Sequence, residues 1–422
     1  MTKVLCTTLD NLAEEFGEAE HTFTFFKSAK TAGVGTIAQG WRGSLKRKGF
    51  APSAATWDFV QFCLAVCAAD LACLRSTSAD GWTRSIELKV ALHRPLLWTG
   101  WREHAERMLK VLTGDYWSLT FTEAGVAPPD ARQAPRIQKD CVSLLSGGLD
   151  SLIGGIDLVA QGRNPMFVSQ LAHEDSARQR DYAAMLGGPN SHWQWSHGIG
   201  VDGTRETSTR GRSLAFYAFA VLAASRLANA PADVYIPENG FICVNPPLVP
   251  GRVSSLSTRT THPLFIQMLQ QLLDGLGVQV RLVLPYRFKT KGQMMLECQD
   301  QDMLRAWASD TTSCGRFRTY NRRHCGRCVP CMIRKAAFLA WEPAMDTTTY
   351  VHDSLAGSGK SSGPDDAMAA ALAVLSVREK GLDRFLGGTL TFAPLAERAA
   401  YRQVLRDGLG ELDALLARDG VL

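Results

Sequence analysis

The chain lacks two things: a strong charge imbalance and a long unbroken apolar run. Across 422 residues, 46 Lys+Arg against 41 Asp+Glu leave a formal charge of +5, too mild for a whole-surface nucleic-acid or membrane role. Only a local basic patch is compatible with that balance. The opening residues, MTKVLCTTLDNLAEEFGE, carry acidic side chains and no apolar stretch closed by small residues, so they do not read as a signal peptide. The longest apolar stretches, Phe59 to Leu74 and Leu214 to Ala224, are interrupted by Asp70 or too short to cross a bilayer, and are expected as buried helices. The expectation is a cytoplasmic protein with no membrane partner. Thiols stay reduced there, so the 11 cysteines are read for metal binding and not as a disulfide framework. Cys6, Cys63, Cys67, Cys73, Cys141, Cys243 and Cys298 are scattered and expected as small core residues.

A hydrophobic share of 45% at this length favours two or three domains. In the first ~135 residues, Ala54 to Arg75 is apolar at helical spacing, Ser85 to His93 alternates like a strand, Trp98 to Leu112 is amphipathic, and Trp117 to Thr122 is strand-like. An α+β domain over 1–135 is the reading, ended by a Pro-rich polar linker at Ala127 to Lys139. Beyond it, CVSLL, NPMFVSQLA and VQVRLVLPY read as buried strands, separated by helical stretches such as SLIGGIDLVAQG and Ser213 to Ala228. That alternation predicts an α/β domain over 136–345 built on a doubly wound parallel sheet. Residues 346–422 read as a Gly/Ser-rich linker and helices at Asp366 to Glu379 and Leu395 to Arg418. The linker's GSGKSS is not read as a Walker motif, because its first glycine is replaced by Ser354 and no apolar strand precedes it.

A further absence is more informative. After the CVSLL strand comes SGGLDS, Ser146 to Ser151, a phosphate-loop-like turn with no lysine to stand over the β/γ end of a nucleotide. Gly147 and Gly148 bring backbone N–H groups to an anion at a helix N-terminus, and Ser146 and Ser151 add hydroxyl donors. Asp150 cannot donate to phosphate, so it acts through Mg²⁺ or orients the loop. Downstream, Cys314, Cys325, Cys328 and Cys331 stand at C-x10-C-x2-C-x2-C, a spacing that closes a tetrahedral Zn²⁺ site with no open position. An iron–sulfur cluster is the chemical alternative. His324 is a neighbour of that set and not a needed ligand.

SGGLDS resembles the SGGxDS signature of the N-type ATP pyrophosphatases, the PP-loop superfamily, whose Rossmann-like HUP fold splits ATP between its α- and β-phosphates. With CGRCVPCMIRKAAF downstream, the span from about Cys141 to Phe338 resembles the QueC family of 7-cyano-7-deazaguanine (preQ0) synthases in the queuosine pathway. The resemblance implies a zinc- and Mg²⁺-dependent ligase. It would adenylate 7-carboxy-7-deazaguanine with ATP, pass the acyl group to ammonia and dehydrate the amide to the nitrile. Ser146, Gly147, Gly148, Asp150 and Ser151 would hold pyrophosphate and metal, while Arg212 (in RGRSLAFYA) and Lys291 (in PYRFKTKGQM) would neutralise charge at the reacting groups. Arg259, His262 and Lys289 are the candidates for substrate contact.

Two features depart from the family. The segment GFICVNPPLVPGRVSSLSTRTTHPLF differs from the family's deazapurine-binding stretch, and SQLAHEDSARQ differs from its second-strand segment, with His173 as a substitute contact. The added N-terminal part resembles the long QueC-like proteins of anti-phage clusters, the QatC and type IV CBASS kinds. There the resemblance implies an amine of a partner protein, such as an N-terminus, in place of ammonia. Alternatives are preQ0 synthesis itself, a PP-loop tRNA-modifying enzyme using Arg-rich RFRTYNRRHCGR, and a non-catalytic sensor. Nucleic acid is not the expected partner, and self-association as a homodimer is left open.

Overall fold

The computed structural model describes the chain except for residues 16, 18, 132–135, 172–174, 249–258 and 358–365 and the side chain of residue 15. Strands β1 (Thr2–Thr7), β2 (His21–Phe25), β3 (Val34–Ile37), β4 (Ser85–Ala91) and β5 (Tyr116–Thr122) form one sheet in the order β5-β4-β1-β2-β3. Every neighbouring pair is parallel. The first unit, expected as α+β, is therefore itself doubly wound. Its helices are crossovers between parallel strands and not a separate layer at one end. The β3 to β4 crossover is α1 (Ala54–Ala72), capped by Ser53, whose Oγ accepts from the Thr56 N–H at 3.2 Å.

The second sheet is β11-β10-β6-β7-β8, made of β6 (Cys141–Leu144), β7 (Pro165–Gln170), β8 (His192–Trp195), β10 (Ala232–Tyr235) and β11 (Val280–Val283). All four pairings are parallel, as the alternating sequence predicts. The short β9 (Ile199–Gly200) leaves this unit and joins the first sheet antiparallel to β3. Around the second sheet lie α2 (Leu149–Ala160), α3 (Ser176–Gly187), α4 (Ser213–Ala224) and α5 (Pro263–Gly275), followed by α6 (Lys291–Leu296), α7 (Val329–Trp341) and, nearer the end of the chain, α8 (Leu395–Arg418).

The two units share one core. Phe62, Leu64 and Val66 of α1 and Leu214, Phe219 and Leu222 of α4 belong to a single buried cluster that continues into Val142 and Val168 of the second sheet. Both apolar stretches are thus core helices, as expected. Among the described residues α1 alone has the length and composition of a membrane span, and it is almost wholly buried inside the protein. A buried ionic network sits where α1 ends. Arg84 Nη2 meets Asp70 Oδ1 at 2.5 Å and Asp115 Oδ2 at 2.6 Å, and Arg75 pairs with Asp115 at 2.9 Å. Asp70 Oδ2 also accepts from Arg210 N and Gly211 N, at 2.7 and 2.6 Å, fixing the entry into α4. The seven scattered cysteines are all buried.

Helix α8 closes the other side, in a second core with α7 and the short helix Gly240–Val244. Gly408 is required at that contact, since a Cβ there would lie 2.2 Å from the Phe241 ring.

Candidate active site

In a parallel sheet, ligands bind beyond the carboxyl ends of the strands where the winding reverses. Here that point lies between β6 and β10. A cavity of about 220 Å³ opens there, lined by the loop after β6 (Ser146, Gly148, Asp150, Ser151), by Pro237 and Glu238 after β10, by Lys291, and by Thr312 and Ser313.

The loop is held by its own hydroxyls. Ser146 N donates to Ser151 Oγ at 3.2 Å, Gly148 N to Ser146 Oγ at 3.2 Å, and Ser151 Oγ to Gly148 O at 2.8 Å. Gly147 stands at φ +92°, a left-handed position that a side chain would strain, and its carbonyl accepts from Thr312 N at 3.1 Å. Gly148 leads directly into α2, so the first helical N–H groups face the cavity end of the loop. The donor set of N–H groups, two hydroxyls and one ammonium is the chemistry that a polyphosphate needs.

Asp150 is the electrostatic centre. Its carboxylate pairs with the Lys291 ammonium and accepts from Asn239 N at 3.1 Å and Asn239 Nδ2 at 2.7 Å. Burial opposes its ionisation, but Lys291 together with hydrogen bonds from Glu238, Lys291 and Asn239 outweighs that and holds its pKa down to about 2. Glu238 responds in the opposite sense. Burial and the Asp150 charge push its carboxyl well above the ordinary range, so it stays protonated beside an ionised neighbour. Asp150 thus presents the ionised oxygen that Mg²⁺ prefers.

Lys291 is placed from three sides. Thr290 and Gln293 form a reciprocal cap on α6, with Thr290 Oγ1 accepting from Gln293 N at 3.0 Å and Gln293 Oε1 accepting from Thr290 N at 2.8 Å. The Thr290 hydroxyl also donates to Glu411 of α8. Gln293 Nε2 reaches Asp407 of the same helix at 3.0 Å.

The other candidates from the sequence lie elsewhere. Arg212 is exposed at the start of α4 and does not line the cavity. Lys289 pairs with Glu297 at 2.5 Å. Arg259 donates to Val111 O of the first unit at 3.2 Å. His262 caps α5, its Nδ1 accepting from Leu264 N at 3.2 Å, and packs edge-on against Phe392; burial and Arg259 push its pKa down to about 4. The structure therefore gives His262 a helix-capping role and brings none of these four into the cavity. His173 and most of GSGKSS fall outside the described residues.

The four cysteines converge. Cys314, Cys325, Cys328 and Cys331 are buried, with sulfurs all within 4.8 Å of one another, and the 314–328 and 325–331 pairs stand 3.9 Å apart. A zinc tetrahedron with ~2.3 Å bonds needs sulfur separations of roughly 3.8 Å, so the set fits. Arg316 N and Cys325 N donate to Cys314 Sγ at 3.3 Å, and Cys328 N to Cys325 Sγ at 3.2 Å, an arrangement suited to thiolates. All four positions are closed by sulfur, so a metal here is structural. Cys328→Ser is expected to lower bound zinc from one per chain to well below that and to reduce the melting temperature; elemental analysis with a thermal melt checks both.

The cluster also supports the cavity wall. His324 Nε2 accepts from Ser313 N at 3.1 Å. From α7, which begins at the cluster, fully buried Arg334 donates to Thr311 Oγ1 at 2.6 Å, Thr348 Oγ1 at 2.8 Å, Ala308 O at 2.9 Å and Ser309 O at 3.1 Å. Glu238, Asn239, Thr312 and Arg334 were not among the sequence candidates. The signal for the first two is their place, PENG, just past the carboxyl end of a strand flanking the switch point.

Fold and site together define an α/β protein with a glycine- and serine-rich loop at a sheet switch point and a closed four-cysteine cluster. Residues 261–342 match the family model described as Queuosine biosynthesis protein QueC. That stretch includes Lys291, Arg334 and the four cysteines, and stops short of the SGGLDS loop. Neither the curated proteins nor the solved structures give a significant match to this chain.

Proposed function

We propose that this chain is an ATP-dependent ligase that adenylates the carboxylate of a 7-carboxy-7-deazaguanine and transfers the acyl group to a nitrogen nucleophile. The observation that carries the reading is the joining of SGGLDS to Lys291 in one switch-point cavity, with Lys291 inside the stretch similar to QueC. The loop has no lysine for a γ-phosphate, which fits a pyrophosphate that leaves as one unit.

In this reading a carboxylate oxygen attacks the α-phosphorus, the α–β bridge breaks, and pyrophosphate departs. The loop N–H groups and the Ser146 and Ser151 hydroxyls bind the departing anion, and Lys291 stabilises its growing charge. Mg²⁺ held at Asp150 would screen the phosphates when bound. Glu238, neutral, keeps a second negative charge out of the cavity. The nitrogen nucleophile then displaces AMP from the acyl group.

The acceptor in this reading is an amine of a partner protein, in keeping with an antiviral defence role. Support comes from the additional parallel-sheet unit over Thr2–Thr122, which packs on the ligase unit through α1 and α4. Incubation with carboxy-deazaguanine, ATP and the products of neighbouring genes, read by intact mass, tests it. A mass increase on one partner supports conjugation. Free preQ0 as the only product would assign ammonia as the nucleophile instead.

The Asp150 and Glu238 pair makes a further prediction. The neutral form of Glu238 prevails below its raised pKa and is lost as the pH climbs through it. Glu238→Gln is expected to retain pyrophosphate release near neutral pH and to flatten the alkaline fall of the wild type. Superimposable alkaline limbs would contradict the assignment.

A further inference from the structure

No acidic side chain separates Asp310 from Glu342, while Arg316, Arg318, Arg322, Arg323 and Arg327 all fall inside that interval. The fold does not spread them evenly. Arg322 and Arg323, both exposed, join Arg178 of α3 around a second cavity of about 390 Å³, with Ser309 and Thr347–Thr349 supplying hydroxyls. Asp310 is the single carboxylate in its lining, and His324 forms part of its wall.

The backbone is arranged around this presentation. Asn321 and Arg322 are consecutive non-glycine residues in the left-handed region, at φ 50° and 61°, held by Arg322 N donating to Phe317 O at 2.9 Å. Arg323 Nη2 gives one hydrogen bond, to Tyr350 O at 3.2 Å. Arg178 reaches Thr312 Oγ1 at only 3.4 Å and stands 4.0 Å from Asp175. Much of the donor capacity of these two guanidinium forks is therefore unspent on the protein.

We propose that this cleft is a second phosphate-binding site, separate from the SGGLDS loop. Three guanidinium groups and a row of hydroxyls around one carboxylate suit a phosphate dianion, which arginine grips through two parallel hydrogen bonds. The site shares a wall with the first cavity. Ser309 and Asp310 face the second, Thr312 and Ser313 the first, and Arg178 and His324 each hold one of the latter pair. Its phosphate comes either from a free anion, such as pyrophosphate released next door, or from the backbone of a nucleic acid.

Calorimetric titration of the full chain with pyrophosphate, and fluorescence anisotropy with a short single-stranded oligonucleotide, test the proposal and separate the two sources. Two pyrophosphate sites per chain are expected in the wild type. One should disappear in Arg322→Ala/Arg323→Ala and the other in Ser146→Ala/Ser151→Ala, with thermal melts confirming that both variants fold. Oligonucleotide binding that weakens steeply with salt and is lost in the arginine variant would assign a nucleic-acid backbone; pyrophosphate binding alone would assign the free anion. A single wild-type pyrophosphate site that the serine variant removes, with oligonucleotide binding absent or insensitive to the arginine variant, overturns the proposal. A single wild-type pyrophosphate site that only the arginine variant removes would count against the ligase reading and leave this one standing.

Discussion

Lys291→Met is expected to slow pyrophosphate release from ATP by about 100- to 1,000-fold, the usual loss when one preorganised donor to a developing anion is removed. Lys291 is the only cation lining the first cavity among the described residues, and its ammonium rests on the Asp150 carboxylate until a ligand competes for it. Methionine keeps the length of the stem and should preserve the packing of α6. The variant should also show a change that a purely structural role would not cause. Lys291 is the largest influence holding Asp150 down at about 2, so without it the carboxyl must rise and the acid limb of the pH profile must move to higher pH. An unshifted acid limb with a full rate loss would point to misfolding instead, and a rate within about threefold of wild type would remove Lys291 from the proposed chemistry.

Arg334→Met should act through stability and position. The Arg334 side chain is fully buried and donates to neutral oxygens of residues 308–313 and 348, with its guanidinium 5.0 Å from the Phe338 ring. Removing it leaves the Ser309 carbonyl without its guanidinium donor, while Ala308 O keeps the Thr311 hydroxyl at 2.6 Å, and the Thr311 and Thr348 hydroxyls each lose a charged partner. Hydrogen bonds to a charged group are worth about 1.5–3 kcal/mol each and several are lost together, so a loss of at least about 3 kcal/mol in unfolding free energy is expected. Chemical denaturation measures it. Because Thr312 and Ser313 belong to the tethered segment, ATP affinity should fall in the variant even where it is fully folded. A change below about 1 kcal/mol would mean that the segment is held by the cysteine cluster alone.

Glu238→Gln and Cys328→Ser probe the same cavity from the carboxylate pair and from the cysteine cluster. Together the four variants separate electrostatics in the site from support of its walls.

The parts legible in the sequence were local strings. SGGLDS is readable because a loop able to cradle an anion needs glycines, hydroxyls and the start of a helix to be contiguous, and the cysteine array because a set able to close around a metal needs short, fixed spacings. Lys291 came from a resemblance and lies where a phosphate could meet it. The pairing of Asp150 with Glu238 was hidden, since 88 positions separate them in sequence and only the strand order brings β6 beside β10. His262 and Arg259 lie outside the first cavity for a related reason. A histidine before Pro263 is equally suited to cap a helix, and the cap hydrogen bond is what forms. The first unit was under-read because β2 and β3 are only five and four residues long. The pairing of β2 with β1 and of β3 with β2 depends on crossovers that no local pattern reveals.

The central claim is that ATP is cleaved between its α- and β-phosphates by a carboxylate that is then acylated onto nitrogen. Carboxy-deazaguanine labelled with ¹⁸O in its carboxylate, incubated with ATP, Mg²⁺ and a nitrogen nucleophile, tests this most directly through the mass of the nucleotide product. The account predicts AMP carrying one labelled oxygen, formed together with pyrophosphate. ADP and inorganic phosphate, or AMP without label, would contradict it.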